Sequence, residues 1–197
     1  MDHFLHESLS ELMDLFKSSL KNVDSVIDIG TGTSIPVHFF ADQYPDIEFV
    51  TVDITDLRLR KELSFIIYDG KTIPFRDQEF DVSVLNETLH HCENPETVLR
   101  EASRLAETVF VVEHFVDHEV DSEKNIEEEF SSLKALNLDC DIYKPFDEES
   151  LFKLFRETGL VIKDRFEIPY HGNRKIKKYF FKLTRKISYA DRVRIKL

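Results

Sequence analysis

Apolar and polar positions alternate along the chain in blocks that predict strands and helices in turn. Short apolar runs that end in polar or glycine residues have the length of buried strands, and the amphipathic runs between them have helical spacing. The predicted strands are 26–29, 49–53, 65–68, 80–85, 109–113, 160–168 and 175–185. The predicted helices are 5–20, 34–43, 56–63, 95–105 and 147–159. This alternation predicts an α/β fold with a doubly wound, mostly parallel sheet, to which a C-terminal antiparallel hairpin adds one antiparallel strand at its end.

The chain is predicted to form a single domain over residues 1–197, because no glycine- or serine-rich linker divides it. Within that domain we distinguish an N-terminal helix at 1–21, a core at 23–114, and a last helix with a hairpin at 147–186. A very acidic connection at 117–143 interrupts the alternation and is read as an inserted helical segment. Long connections beside a binding edge often act as lids, so we expect this segment and the first helix to cover the site.

Three of the five glycines directly follow predicted strands: Gly30, Gly32 and Gly70. Gly30 and Gly32 lie one residue apart between a strand and a helix, so the backbone there can come close to a ligand. The dinucleotide pattern GxGxxG would need glycine at position 35, where this chain has Ile35. A Rossmann dehydrogenase is therefore disfavoured.

Polar side chains follow the next three strands at the point where each strand ends. Asp53 ends the second strand, Asp69 the third and Asn86 the fourth. Ligands bind at the carboxyl edge of such sheets, and a carboxylate after the second strand can accept hydrogen bonds from both hydroxyls of a ribose. This ordered set of strand ends is a stronger signal than the two glycines alone.

In this order the residues resemble the class I S-adenosylmethionine-dependent methyltransferases, especially their small-molecule group. The motifs that carry the resemblance are Asp28-Ile-Gly30-Thr-Gly32, Asp53, Asp69-Gly70, Ile73-Pro74-Phe75, Phe80-Asp81, Leu89-His90-His91, Asn94-Pro95 and Glu101-Ala-Ser-Arg104. They cover residues 23–114 in detail. The resemblance implies a Rossmann-like methyltransferase fold with a seven-stranded sheet, and methyl transfer from S-adenosylmethionine to a small-molecule acceptor.

The resemblance also implies which residues bind the cofactor. They are Asp28, Gly30, Gly32, Asp53, Ile54, Asp69, Gly70 and Asn86. The loop from Asp28 would lie against the methionine part, Asp53 would hold the ribose hydroxyls, and Ile54 and Asp69 would bind the adenine. Asn86 would face the amino-acid end of the cofactor near the methyl group.

The sequence departs from the family pattern at two places. Ser34 stands where the family has a third glycine, and we expect its small side chain to cap the following helix. The segment from Arg104 to Thr108 lacks the usual Pro-Gly-Gly turn. We expect this shortening to alter a loop without affecting the cofactor pocket.

Methyl transfer asks little covalent work of a protein, so a base is needed only where the acceptor must lose a proton. His91 is the predicted catalytic residue, because it follows Asn86 closely and an imidazole titrates near neutral pH. His114 and Glu113 are the alternatives, since both are predicted to end the fifth strand. One member of the pair His90 and His91 is expected to be structural.

Charge is distributed unevenly and leaves two other functions open. Residues 171–197 carry ten Lys or Arg and one acid, whereas the preceding 170 residues carry 16 bases and 37 acids. The basic end suits a nucleic-acid or protein methyltransferase, but the acidic body would repel phosphates, so a nucleic-acid partner is not expected. The other alternative is a catalytically silent interaction module that keeps the S-adenosylmethionine-binding fold.

The amino-acid composition excludes several further classes of protein. A hydrophobic content of 42% supports a buried core and excludes a disordered chain. Cys92 and Cys140 show no CxxC spacing, so neither a disulfide framework nor a structural zinc site is predicted, and no metal is expected. The sequence shows neither an apolar run of membrane-spanning length nor a signal peptide at residues 1–4. We therefore expect a cytoplasmic protein with no membrane partner.

Overall fold

A computed structural model of the chain describes residues 16, 17, 19–116, 145–168 and 176–186. Its strands are β1 (Ser25–Ile29), β2 (Glu48–Asp53), β3 (Ser64–Ile67), β4 (Val82–Asn86), β5 (Thr108–Val116), β6 (Leu160–Ile168) and β7 (Ile176–Arg185). Within the same residues, helices run over Ile35–Gln43 (α1), Pro95–Leu105 (α2) and Glu148–Glu157 (α3), with a 3-10 turn at Leu89–His91.

The strands form one sheet in the order β3-β2-β1-β4-β5-β7-β6. The first five strands pair in parallel, and β7 is antiparallel to both of its neighbours. The seven-stranded, mostly parallel sheet is therefore as predicted, and so is the antiparallel hairpin. The antiparallel strand does not lie at the end of the sheet, however, because β7 is inserted between β5 and β6. The buried side chains of Phe180, Phe181 and Leu183 explain this position, since they need cover on both faces.

Each face of the sheet packs against its own helices. On one face, Ile27 and Ile29 of β1 pack in a cluster that includes Leu99 of α2 and Phe155 of α3. On the other face, α1 and the described residues that precede β1 supply a second cluster: Phe16, Leu20, Val37 and Phe40, with Phe110 and Phe180 from the sheet. The two clusters make a three-layer α/β domain whose carboxyl strand ends lie at one edge.

Local signals explain where the helices begin and end. The Asn94 side chain accepts a hydrogen bond from the Thr97 backbone N–H at 3.1 Å, and Pro95 opens α2 as predicted. At α3, Asp147 and Ser150 form a reciprocal capping box. Gly159 follows that helix with a φ of +76°, which suits a glycine. None of the described helices has the length and apolar character needed to cross a membrane.

The predicted helix at 56–63 is wrong, because the connection from β2 to β3 is not helical. The Asp56 carboxylate accepts hydrogen bonds from the backbone and the side chain of Arg58, and these bonds compete with a helical turn. The Leu59 backbone N–H also donates to the Thr33 carbonyl at 3.0 Å. This bond ties the connection to the loop after β1.

Several sequence predictions lie outside the described residues. They are most of the first helix, the inserted segment at 117–143 with its role as a lid, the connection between the two strands of the C-terminal hairpin, and Cys140. Of the first helix, Phe16 and Leu20 are described, and both are buried.

Candidate functional site

The carboxyl ends of β1, β2 and β4 lie side by side and bring together several predicted site residues. The glycine loop after β1 is fixed to β2, because the Gly30 backbone N–H donates to the Val52 carbonyl at 2.8 Å. The Asp53 carboxylate accepts hydrogen bonds from the backbone N–H groups of Gly32 at 2.8 Å and Ile54 at 2.7 Å. A carboxylate oxygen can accept more than one bond, so Asp53 keeps capacity for a further donor.

The two loop glycines are needed for different reasons. At Gly30, with a φ of +75°, a Cβ atom would lie 2.3 Å from Thr88 Cγ2. Gly30 therefore allows the turn after β4 to approach β1 closely. At Gly32, with a φ of +50°, a Cβ atom would meet nothing within 4 Å. The prediction gave both glycines one role against a ligand, whereas the absent side chain leaves open space at Gly32 only.

Ser34 does not cap α1 with its side chain, contrary to the prediction. Its backbone is left-handed, with a φ of +61°, which is the conformation that favours the glycine of the family pattern. The hydroxyl donates instead to the Arg60 carbonyl at 2.7 Å. Ser34 is thus buried and joins the glycine loop to the β2–β3 connection.

Two neighbouring carboxyl groups in this region are harder to ionise than usual. Burial raises the pKa of Asp28 to about 7, and the nearby Asp53 also raises it. Burial likewise raises the pKa of Asp53, although the backbone N–H groups of Gly32 and Ile54 oppose the change. Because the cause is a lack of solvation, a cationic or hydroxyl-bearing ligand would stabilise the charged form of both groups.

Ile54 and Asp69 form a second part of the edge, at the ends of β2 and β3. The Ile54 side chain is 63% exposed, and its Cγ2 atom would lie 3.5 Å from a Cβ atom at Gly70. The backbone N–H groups of Thr72 and Lys71 bind the exposed Asp69 carboxylate and hold its pKa below the usual range. An apolar surface next to a charged carboxylate suits a flat heterocycle that carries an amino group.

Asn86 carries a buried polar atom that has no hydrogen-bond partner among the described residues. This atom is its side-chain oxygen, Oδ1, at the carboxyl end of β4. Asn86 and Asp28 both line a cavity between α1 and the sheet, whose other walls include Pro36 and Val37. Since an unpaired buried oxygen is costly, Asn86 is suited to accept a hydrogen bond from a ligand.

The two adjacent histidines lie on the 3-10 turn after β4 and differ in environment. His90 is buried, and its Nδ1 atom is 2.6 Å from Glu113 Oε2. Glu113 also accepts a hydrogen bond from the Leu89 backbone N–H at 2.7 Å. His90 is therefore the structural member of the pair. His91 is only partly buried, and its ring centre lies 4.1 Å from that of His90.

Glu113 and His114 do not end β5, contrary to the prediction, because the strand continues to Val116. Both side chains are buried within the protein. His114 Nδ1 lies 2.9 Å from Glu87 Oε2. Glu113 and His114, the two alternatives to His91 as a base, are thus engaged in contacts within the protein. They lie inside the strand because β5 is longer than predicted.

Glu87 and Lys178 are part of this region, although the sequence gave no sign of it. Lys178 Nζ lies 3.2 Å from Glu87 Oε1. The pairing depends on the position of β7 beside β5, which no local pattern indicates. The potential ligand atoms of Glu87, His90 and His114 lie within 4.8 Å of one another, close enough for a metal ion. The Lys178 ammonium, however, already supplies a positive charge to Glu87.

Comparison with known proteins finds a family model and a curated relative that match part of this chain. A family model described as "Methyltransferase domain" matches residues 27–108. An uncharacterised protein of the archaeon Methanocaldococcus jannaschii, MJ1123, is 30% identical over 95 residues, which cover 46% of this chain and 46% of that protein. The matched stretch therefore spans about half the length of this curated relative.

Solved structures share the fold at low identity. The PH0226 protein of Pyrococcus horikoshii superposes with a TM-score of 0.69 at 14% identity, over 94% of this chain and 93% of its own. The 1,6-didemethyltoxoflavin-N1-methyltransferase of Burkholderia thailandensis, solved with bound 1,6-didemethyltoxoflavin and S-adenosylhomocysteine, gives a TM-score of 0.66 at 15% identity, over 91% of this chain and 79% of its own. A chain from a complex with the Haloferax volcanii Trm112 methyltransferase activator gives 0.63 at 16% identity, over 95% and 98%.

Proposed function

We propose that this chain is a class I S-adenosylmethionine-dependent methyltransferase that methylates a small molecule, since a methyltransferase family model matches residues 27–108 and solved methyltransferases share its fold. The observation that carries the proposal is the set of strand ends around Gly32, where open space, the acceptor oxygens of Asp53 and the unpartnered Asn86 Oδ1 atom lie at one edge. S-adenosylmethionine, the cofactor of the family, supplies a methyl group that is already activated by a sulfonium centre.

The residues present fit this cofactor. Asp53 is held by two backbone N–H groups and would accept hydrogen bonds from the ribose hydroxyls. Ile54 is exposed without a ligand, and burying an apolar side chain against the adenine would be favourable. Asp69 and Gly70 would lie at the amino group and the edge of the same ring.

The methionine end would lie near Asp28, Gly30, Gly32 and Asn86. An ammonium group there would donate to Asn86 Oδ1, an atom that otherwise stays unpaired. The same positive charge would favour the ionised form of Asp28, whose pKa burial raises to about 7. Gly30 would act indirectly, since its missing side chain makes room for Thr88.

His91 is the proposed base for an acceptor that must lose a proton. Its partly buried ring lies against His90, which Glu113 holds in place. A fixed neighbour limits the orientations of His91, which favours proton transfer in one geometry. Where the acceptor atom carries no such proton, positioning and the exclusion of water suffice.

A small-molecule acceptor is favoured over a polyanion by charge. Residues 1–170 carry 16 bases and 37 acids, so most of the chain would repel phosphates. One structural neighbour, the Burkholderia thailandensis enzyme, is named for methylating a small heterocycle. A nucleic-acid or protein substrate at the basic residues 171–197 is the competing proposal. A catalytically silent interaction module that keeps the fold is another. A protein partner also stays open, since another neighbour comes from a complex with an activator.

The test is a screen of metabolite pools that detects release of S-adenosylhomocysteine. We expect turnover with a small molecule and about 10²- to 10⁴-fold slower turnover in His91→Ala, if the acceptor must lose a proton. His91→Asn separates the roles, because asparagine can keep a hydrogen bond but cannot take a proton. Full activity of His91→Asn would make His91 structural. Product release with RNA, DNA or protein alone would favour the competing proposal.

A further inference from the structure

Glu87 adopts a backbone conformation that a non-glycine residue rarely holds without support. Its φ is +54°, in the left-handed region, and it directly follows Asn86 at the end of β4. Such a residue carries a local conformational cost and persists where its surroundings determine it. The contacts of Glu87 are therefore what keeps the chain direction after Asn86.

Those contacts come from two other strands. The Glu87 backbone N–H donates to the Val112 carbonyl of β5 at 2.9 Å. Its carboxylate lies 2.9 Å from His114 Nδ1 and 3.2 Å from Lys178 Nζ. Burial on its own would raise the pKa of Glu87, but Lys178 and His114 outweigh it and hold that pKa well below the usual range. The carboxylate is thus a charged anchor that depends on its cation.

Lys178 reaches this anchor from the strand inserted between β5 and β6. In the register of β5 and β7 it stands opposite His114, so both side chains can approach Glu87. Its side chain is 19% exposed, which leaves little solvent to screen the pair. Lys178 and His114 lie beyond residues 27–108, the part of the chain that the family model matches.

We propose that Lys178 is a positioning residue for the amino-acid end of the cofactor, acting through the left-handed Glu87 to aim the Asn86 side chain. This inference rests on the proposed function. The ion pair with Lys178 offsets the strain at Glu87. The peptide link between residues 86 and 87 therefore stays in the orientation that leaves Asn86 Oδ1 buried and unpaired.

Calorimetric binding of S-adenosylhomocysteine tests the assignment without any acceptor. Removing the charge in Lys178→Met is expected to weaken binding about tenfold, the scale of the strain that the ion pair offsets. Lys177→Met is the matched control, since Lys177 is the exposed neighbour on the same strand. We expect this control to bind like the wild type. Unchanged affinity in Lys178→Met would overturn the inference.

A second variant separates positioning from a general loss of structure. Glycine adopts a positive φ without strain, so Lys178→Met/Glu87→Gly needs no ion pair to keep the turn. We expect binding by this double variant to return to within about threefold of the wild type. Affinity that stays as low as in Lys178→Met would show that Lys178 does not act through Glu87. If the wild type itself binds no S-adenosylhomocysteine, the proposed function fails and the inference with it.

Discussion

The two halves of the binding edge are held together in different ways. At the ends of β2 and β3, Asp53 and Asp69 accept hydrogen bonds from nearby backbone N–H groups. After the end of β4 and within β5, Glu87 and Glu113 contact buried histidines and a lysine from distant parts of the chain. The carboxylates of the first half therefore keep acceptor capacity for a ligand, whereas those of the second half are engaged within the protein and fix the turn that carries His91. The unpaired acceptor of the second half is Asn86 Oδ1.

Removing a carboxylate from each half gives the largest expected contrast. Glu113→Ala leaves His90 and the Leu89 backbone N–H without their buried partner, and we expect a loss of about 3 kcal/mol in the free energy of unfolding. Asp69→Ala removes an exposed group, so the free energy of unfolding of this variant should change little. Urea unfolding of both variants measures the difference. Equal losses would show that the two halves do not differ in this way.

Gly30 and Gly32 provide a second test of the difference between the two halves. In Gly30→Ala the new methyl group would meet Thr88 of the β4 half at a positive φ, and we expect about 2 to 3 kcal/mol of destabilisation. In Gly32→Ala the methyl group enters open space, so only the backbone cost remains, about 1 kcal/mol, together with weaker ligand binding. Thermal unfolding and calorimetry measure the two effects. A larger loss of stability in Gly32→Ala would contradict the assigned contacts.

Asp28 lies on β1, between the two halves. For this residue we expect a smaller effect on stability, and one that depends on pH. Burial raises its folded-state pKa to about 7, so the folded protein binds more protons than the unfolded chain between roughly pH 4 and 7. The stability contribution of Asp28 therefore falls as pH rises through this window. Relative to Asp28→Asn, the wild type should lose about 1 to 2 kcal/mol between pH 6 and 8. A pH-independent difference between the two proteins would show that Asp28 ionises normally.

The sequence predicts features that depend on neighbouring residues better than contacts between distant strands. The strands and the helices predicted at 34–43, 95–105 and 147–159 follow from local signals, and the structure agrees with them to within a few residues at their ends. The 56–63 helix was predicted wrongly, because side-chain bonds of Asp56 to its neighbour replace a helical turn. The pairing of Glu87 with Lys178 was not predictable, since it depends on where β7 enters the sheet.

Motif spacing likewise predicts the roles of some site residues and not of others. Motif spacing placed Asp53 and Gly32 at one edge, and they share a hydrogen bond there. Spacing could not tell the buried His90 from the partly exposed His91, because that difference arises from Glu113 on another strand. It also could not show that Gly30 faces Thr88, since this contact joins two different strand ends.

The central claim is that this edge binds S-adenosylmethionine, and calorimetry with S-adenosylhomocysteine tests it most directly. We expect a dissociation constant of roughly micromolar order for the wild type. Asp53→Ala should weaken binding by about 1 to 3 kcal/mol, since the ribose hydroxyls lose their acceptor. Asp46→Ala, an exposed carboxylate before the amino end of β2, should bind like the wild type. No heat from the wild type at high protein concentration, or equal affinities for the two variants, would contradict the account.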